Sequence, residues 1–212
     1  MKFALNAAND TLPHNANLAR WRGLSDACKL CGARQTLHHI LNHCKKALDL
    51  RRFNTRHDQV LKVIADFVEK LVPDDMHVIA DLEDQYHFPP CLAHTDLRPD
   101  LIIYSELTKS ATLMELTVCF ETNFEEAKSR KEMKYADLVD EIEDNGFTVD
   151  LVTIEVGARG FLKYESFRRL NEVLGADRKE FFTLLLDVAK VTIKNSFRIW
   201  TQRNSLSEPD ET

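Results

Sequence analysis

The sequence predicts an α/β domain whose core runs α-β-β-β-α-β, preceded by a small cysteine- and histidine-rich unit and followed by a helical tail. Three observations carry this reading. Short β-branched or apolar runs at 76–82, 101–105, 111–120 and 147–156 alternate with stretches of helical periodicity. Three of the five cysteines fall between positions 28 and 44. With 212 residues, 44% of them hydrophobic, a core is affordable, since roughly 70% of the unfolded surface can be buried at this length.

The elements follow in order. Within CKLCGARQTLHHILNHC, Cys28 and Cys31 stand on a tight turn that aims two thiolates at one point. On a helix expected over 36–49, His39 and Cys44 lie on nearly the same face, and the four donors close a tetrahedron around zinc. His38 and His43 have the same separation and could substitute in part, but His39 and Cys44 fit best with Ile40 and Leu41 packing beneath. Four protein ligands leave no open position, which makes such a site structural. A redox pair is the other use of Cys-x2-Cys, but no strand-turn-helix of thioredoxin type precedes it.

Asn54 or Thr55 should cap a second helix that reaches about Leu71, with Val60, Ile64, Phe67 and Leu71 on one face. Arg56 and His57 extend that face at the end where the helix dipole favours an anion. Arg56 is thus a candidate phosphate contact or partner to acids, or equally an exposed first-turn base. Three strands follow, the first two separated by a loop at 83–99. Asn123-Phe124-Glu125-Glu126 has the form of a capping box opening a helix to Asn145, stopped by Gly146. A fourth strand and two helices, about 164–174 and 178–199, complete the order, and 205–212 should be a disordered tail.

Charge is unevenly placed. Residues 1–60 hold ten Lys/Arg against four Asp, +6 net, whereas the remainder carries 18 bases against 30 acids, −12 net. The N-terminal third could therefore hold a polyanion although the whole chain is acidic. The longest apolar runs, such as FFTLLLDV, fall well short of the ~18 residues of a membrane span. The opening MKFALNAAND lacks an apolar signal-peptide core, so an intracellular compartment is expected and no membrane partner.

A second constellation joins the strands to the long helix. Asp100 opens the middle strand after Arg98-Pro99, and Glu115 lies in the next one. A short connection between adjacent strands sets such carboxylates side by side, the arrangement that takes a hard divalent cation such as Mg²⁺. At about 100° per residue, Phe124, Ala127, Lys131, Tyr135, Leu138 and Ile142 fall in one stripe, with Lys134 on its shoulder. A lysine amid a sheet-facing stripe must meet a carboxylate, a phosphate or water, and two carboxylates are expected beneath this one.

Taken together, NLARW, CKLCG, TLHHILNHC, RHDQVL, RPDLII, MELTVCFE, RKEMKYADL and IEVGARGF, in that order, resemble the C-terminal part of the polyproteins of early-branching non-LTR retrotransposons. That part is a CCHC zinc knuckle followed by a restriction-like endonuclease of the PD-(D/E)XK superfamily, whose core has the same α-β-β-β-α-β order. The resemblance implies three parts with a tail: a basic knuckle segment at 1–50, a nuclease core at 51–160, a helical extension at 161–204 and the tail at 205–212. It implies nicking of double-stranded target DNA in the nucleus so that a 3′ hydroxyl primes reverse transcription. A reverse-transcriptase domain or element RNA from a larger polyprotein would be the partner.

By this resemblance Asp100 and Glu115 match the acids for Mg²⁺ or Mn²⁺. Thr117 occupies the usual lysine position, and Lys131 is the lysine displaced onto the helix, with Tyr135 and Lys134 beside it. Arg56-His57-Asp58 matches a short motif ahead of the sheet. Asp100, Glu115, Lys131 and Tyr135 are thus the expected catalytic residues, and Cys28, Cys31, His39 and Cys44 the zinc ligands. Arg34, Lys45, Lys46, Arg56, His57 and Lys134 are the expected DNA contacts. Two alternatives remain beside the nuclease: a catalytically lapsed, zinc-containing nucleic-acid-binding module, and a protein-interaction domain using the acidic helix face of Asp137, Asp140, Glu141, Glu143 and Asp144.

Overall fold

The computed structural model describes residues 2–82 and 86–206. Two short helices, α1 (Lys2–Ala8) and α2 (Asn15–Arg22), lead into a π-helical turn (His39–His43), then α3 (Lys45–Asp49) and α4 (Arg52–Val68). Strands β1 (His77–Ala80), β2 (Leu101–Ser105) and β3 (Ser110–Cys119) are followed by α5 (Phe124–Asp144), β4 (Thr148–Gly157), α6 (Tyr164–Leu174) and α7 (Arg178–Thr201). The expected strand and helix order is therefore present.

The sheet has the order β1-β2-β3-β4, with both β2 neighbours antiparallel and β3 parallel to β4. A parallel pair needs a crossover, and α5 supplies it. Because side chains alternate along a strand, Met114 and Leu116 of β3 face α4, α6 and α7 together with Val152, Ile154 and Val156 of β4. Ala111 and Leu113 face the other way, under Tyr135, Leu138 and Ile142 of α5. Both faces of the sheet are covered, which explains the near-continuous apolar character of its central strands. Phe167, Leu170, Phe181, Leu184 and Val188 share the core of Val60 and Ile64, so the last two helices pack on α4 and the sheet.

Local cap signals were a poorer guide than the core. The chain enters α4 through Arg51 in the left-handed region (φ 53°), so neither Asn54 nor Thr55 caps it. The buried Arg52 donates to the carbonyls of Gln202 and Ser205, each at 2.8 Å, and fixes the first turn of α4 earlier. Ser205 is thereby tied to the fold and Leu206 is exposed, while residues 207–212 of the expected tail lie outside the described residues. Asn123 makes no side-chain cap, because a 3-10 turn (Glu121–Asn123) precedes α5 and leaves Asn123 near-helical at φ −107°, ψ 10°. A complete capping box instead opens α7, between Asp177 and Glu180.

The zinc-side helix expected over 36–49 is broken at the extended Cys44 into the π turn and α3. The helices α1 and α2, seven and eight residues long, are too short to give a periodic signal. His14 caps α2, its Nδ1 accepting from Asn17 N at 3.1 Å. Ala7, Leu12, Leu37, Ile40 and Leu41 pack on Ala158, Ile199 and Trp200, docking the N-terminal unit onto α7. No helix among the described residues is long and apolar enough to cross a membrane.

Candidate functional site

The four expected zinc donors converge. An antiparallel bridge between Ala27 and Arg34, the bond from Cys28 N to Ala33 O and Gly32 at φ 77° form the tight turn that carries Cys28 and Cys31. All four ligand atoms lie within 4.8 Å of one another. Cys44 Sγ is 4.0 Å from Cys28 Sγ and 3.9 Å from Cys31 Sγ, and His39 Nε2 is 3.4 Å from Cys31 Sγ. Zinc bonds of about 2.3 Å to sulfur and 2.0–2.1 Å to nitrogen give tetrahedral edges of about 3.8 and 3.6 Å, so the cluster has the size to hold one zinc ion. His38 and His43 do not join it. They meet edge to face with ring centres 4.2 Å apart, and His38 packs on Phe120.

The electrostatics of the four donors differ. Burial, helped by the neighbouring His43, depresses the His39 pKa and keeps the imidazole neutral, as a ligand must be. Burial pushes the Cys44 thiol up to about 11. Burial acts likewise on Cys28, but N–H donors of Leu30 and Cys31 and the Gln35 side chain outweigh it and leave that thiol below its usual value.

The acidic constellation forms at the β2–β3 pair. Leu101 pairs with Met114, so one step back Asp100 stands across from Glu115. Leu116 N donates to Asp100 Oδ2 at 2.7 Å, fixing the carboxylate at the strand edge. From α5, Lys131 reaches into the same space; its ammonium is hydrogen-bonded to Glu115 Oε2 and lies 3.9 Å from Asp100 Oδ2. From α4, His57 Nε2 lies 3.5 Å from Asp100 Oδ2 while Nδ1 faces Asp58 at 3.1 Å. Tyr135 donates its hydroxyl to Arg98 O at 2.9 Å and accepts from Lys134 Nζ at 2.7 Å.

These contacts push the two carboxyls apart in acidity. Burial, then the adjacent Asp100 charge, raises Glu115 to about 7 despite Lys131. Burial also acts on Asp100, but the His57 hydrogen bond, the charges of His57 and Lys131 and the Leu116 N–H hold it below the usual carboxylate range. Burial lowers His57, yet its bonds to Asp100 and Asp58 prevail and lift it to about 9. Glu115 Oε1 is buried without a hydrogen-bond partner, and the Tyr135 hydroxyl lies close enough to Glu115 to help hold its charge.

The expected DNA contacts divide. Arg34 and Lys45 are exposed on the knuckle side, Arg34 pairing with Asp26 at 3.3 Å, and Lys46 is 4.0 Å from Asp49. Lys134 is exposed but packs its ammonium over Tyr135, 4.4 Å from the ring centre. Arg56 must be corrected. It is 1% exposed and donates to Ser196 Oγ and Val118 O, so it joins α4 to α7 and β3 and cannot reach a phosphate. His57 is committed to Asp100 and Asp58.

Sequence reading missed Asn42, which donates to Val118 O at 3.1 Å and seats the π turn against β3. Val118 is three residues from Glu115, about 10 Å along the strand, so the zinc unit stands close to the acids. No local pattern marks such a residue. A groove of about 730 Å³ between α4 and β1 is lined by Asp58, Asp66 and Glu69 against Lys62 and His87, a poor place for a polyanion. No family model matches the chain, and no curated protein matches it.

Proposed function

We propose that the chain is a metal-dependent DNA endonuclease of retrotransposon origin, with a PD-(D/E)XK-like core that nicks a nuclear DNA target to prime reverse transcription. The observation that most supports this reading is the meeting of Asp100, Glu115 and Lys131 from three separate elements at one strand edge. Asp100 and Glu115 face each other across the β2–β3 pair, and Glu115 Oε1 is buried without a hydrogen-bond partner, which suits a pair of carboxylates that share a cation.

Asp100 and Glu115 would hold Mg²⁺ or Mn²⁺, whose contribution when bound is Lewis acidity toward the scissile phosphate and the attacking water. His57 and Leu116 N keep Asp100 ionised and oriented. Lys131 positions the water and steadies the developing charge on a phosphate oxygen. Tyr135, fixed by Arg98 O and Lys134, orients that lysine's surroundings. The zinc unit, with Arg34, Lys45 and Lys46, holds duplex DNA beside the acids; such phosphate contacts set position without reading sequence.

The test is the chemistry of the product. Supercoiled plasmid incubated with the zinc-loaded chain and Mg²⁺ or Mn²⁺ should become nicked, and a template-dependent polymerase should extend the nick directly from its 3′ hydroxyl. A 3′ phosphate at the nick would refute the priming role. DNA binding that persists with no cleavage would leave the lapsed binding module as the reading.

A further inference from the structure

We infer that the C-terminal end of α2 is a stacking platform for single-stranded nucleic acid, with Trp21 as its face and Arg20 and Arg22 as its phosphate contacts. The inference is independent of the endonuclease reading and uses no residue of the acidic cluster.

The two tryptophans are placed oppositely. Trp200 is 7% exposed, wedged against Phe3 and covered by the Arg203 guanidinium 3.9 Å from its ring centre. Trp21 is 47% exposed in the last turn of an eight-residue helix, and Leu24 beside it is 54% exposed. A single exposed apolar side chain is ordinary, but Trp21 and Leu24 are exposed together on a supported helix end, and an indole there offers a flat face for stacking.

The support is built. Asn15 N accepts no freedom at the start of α2: it donates to Gln35 Oε1 at 3.2 Å, Asn15 Nδ2 donates to Ala27 O at 2.6 Å, and Ala16 N donates to Gln35 O at 3.0 Å. Ala27 and Gln35 flank the cysteine turn, and Gln35 is fully buried. Gly23, at φ 68°, stops the helix and donates to Ala19 O, so Trp21 stands at a fixed end, about 9 Å along the axis from Asn15.

Charge selects the occupant. Arg20 lies over the indole, 5.8 Å from its centre, and is steadied by Asn17 Oδ1 at 3.0 Å. Arg22, Lys29 and Arg34 are all exposed, and the segment 14–34 offers four bases against the single acid Asp26. An apolar peptide would have no use for this charge, and bases stacked inside a duplex cannot offer a face to an indole. An unpaired strand offers both a π-face and phosphates, which is the combination that sequence-tolerant strand binders use.

The experiment is anisotropy of a fluorescein-labelled twelve-nucleotide oligothymidylate with the zinc-loaded full chain and no added magnesium. Cleavage plays no part, so failure here leaves the endonuclease reading standing, and loss of cleavage leaves this one standing. Trp21→Ala should weaken binding about 5- to 100-fold, whereas Trp21→Phe, which keeps a ring, should bind within about threefold of the parent. Tryptophan emission should be quenched by the oligonucleotide in the parent and not in Trp21→Phe. Arg22→Gln should lower the slope of log affinity against log salt by about 0.7. Oligouridylate, offered in parallel, tells whether the strand is DNA or RNA. Equal affinity of Trp21→Ala and the parent overturns the inference. So does no oligonucleotide binding at low salt by zinc-loaded protein with a cooperative melt, an outcome that assigns the ring to a protein contact.

Discussion

Replacing Cys44 by serine should release the metal and unfold the N-terminal unit while leaving the sheet intact. The magnitude follows from what else holds that unit together. Its own cluster contains Cys28, Cys44 and Ala47 as buried members, with Leu30 and Phe53 packed partly against them. Two of these are the ligands themselves. Burial of Ala47 and part of Leu30 contributes only ~2–3 kcal/mol, against ~10–16 kcal/mol of apparent free energy for structural zinc at neutral pH. Leu12, Leu37, Ile40 and Leu41, packed on Ala158, Ile199 and Trp200, add about 1.5–3 kcal/mol each, so metal contributes about as much as all of the unit's burial together. The assay is zinc content by atomic absorption, paired with two-probe thermal melts. The parent should carry one zinc per chain, and Cys44→Ser and His39→Ala should carry none and lose a low-temperature transition. His38→Ala and His43→Ala, whose rings face each other and Phe120, should keep full zinc. Equal zinc in Cys44→Ser and the parent would refute the ligand set.

Further outcomes test other parts of the account. On this account metal at the acids competes with the proton that Glu115 holds up to about 7, so Mn²⁺ affinity should fall about fivefold from pH 7 to pH 6 and level off above pH 8. Titration calorimetry of zinc-loaded protein reads this, and a flat profile would contradict the Glu115 assignment. Arg56→Ala removes a buried guanidinium and two charged hydrogen bonds, at a cost of about 3–5 kcal/mol in denaturant unfolding, while DNA affinity of the folded protein stays unchanged. Gly160→Ala meets Ile193 Cγ1 at 2.5 Å and forces φ 92° on an L-residue, so it should cost about 2–5 kcal/mol. Gly146→Ala, also at positive φ but with no neighbour within 4 Å, should cost only about 1–2 kcal/mol.

What could be read from the residues depended on whether the information was local. The Cys-x2-Cys turn and the His39–Cys44 pair were legible because ligand spacing is a chain property. So was Lys131, since an ammonium in an apolar stripe of α5 declares itself by periodicity. The pairing of Asp100 with Glu115 was legible because a short connection between β2 and β3 leaves little choice of neighbours. Arg56 was not legible. Its place on the packing face was visible, but the groups it meets, Ser196 and Val118, come from α7 and β3, and nothing near position 56 announces them. The start of α4 failed for the same reason, being set by the bonds of Arg52 to residues 150 and 153 positions away rather than by Asn54 or Thr55. The π turn at Cys44 was hidden as well, because ligand convergence overrode a helical pattern that continues through it.

The central claim is that Asp100, Glu115 and Lys131 form one hydrolytic centre. Conversion of supercoiled plasmid to nicked circles by the parent, Glu115→Gln and Lys131→Ala, at matched zinc content and with cooperative melts verified, tests it most directly. The account predicts Mg²⁺- or Mn²⁺-dependent nicking by the parent and a loss of at least about a hundredfold in each variant. Undiminished nicking by Glu115→Gln, or a parent that binds DNA and metal but never cuts, would contradict it.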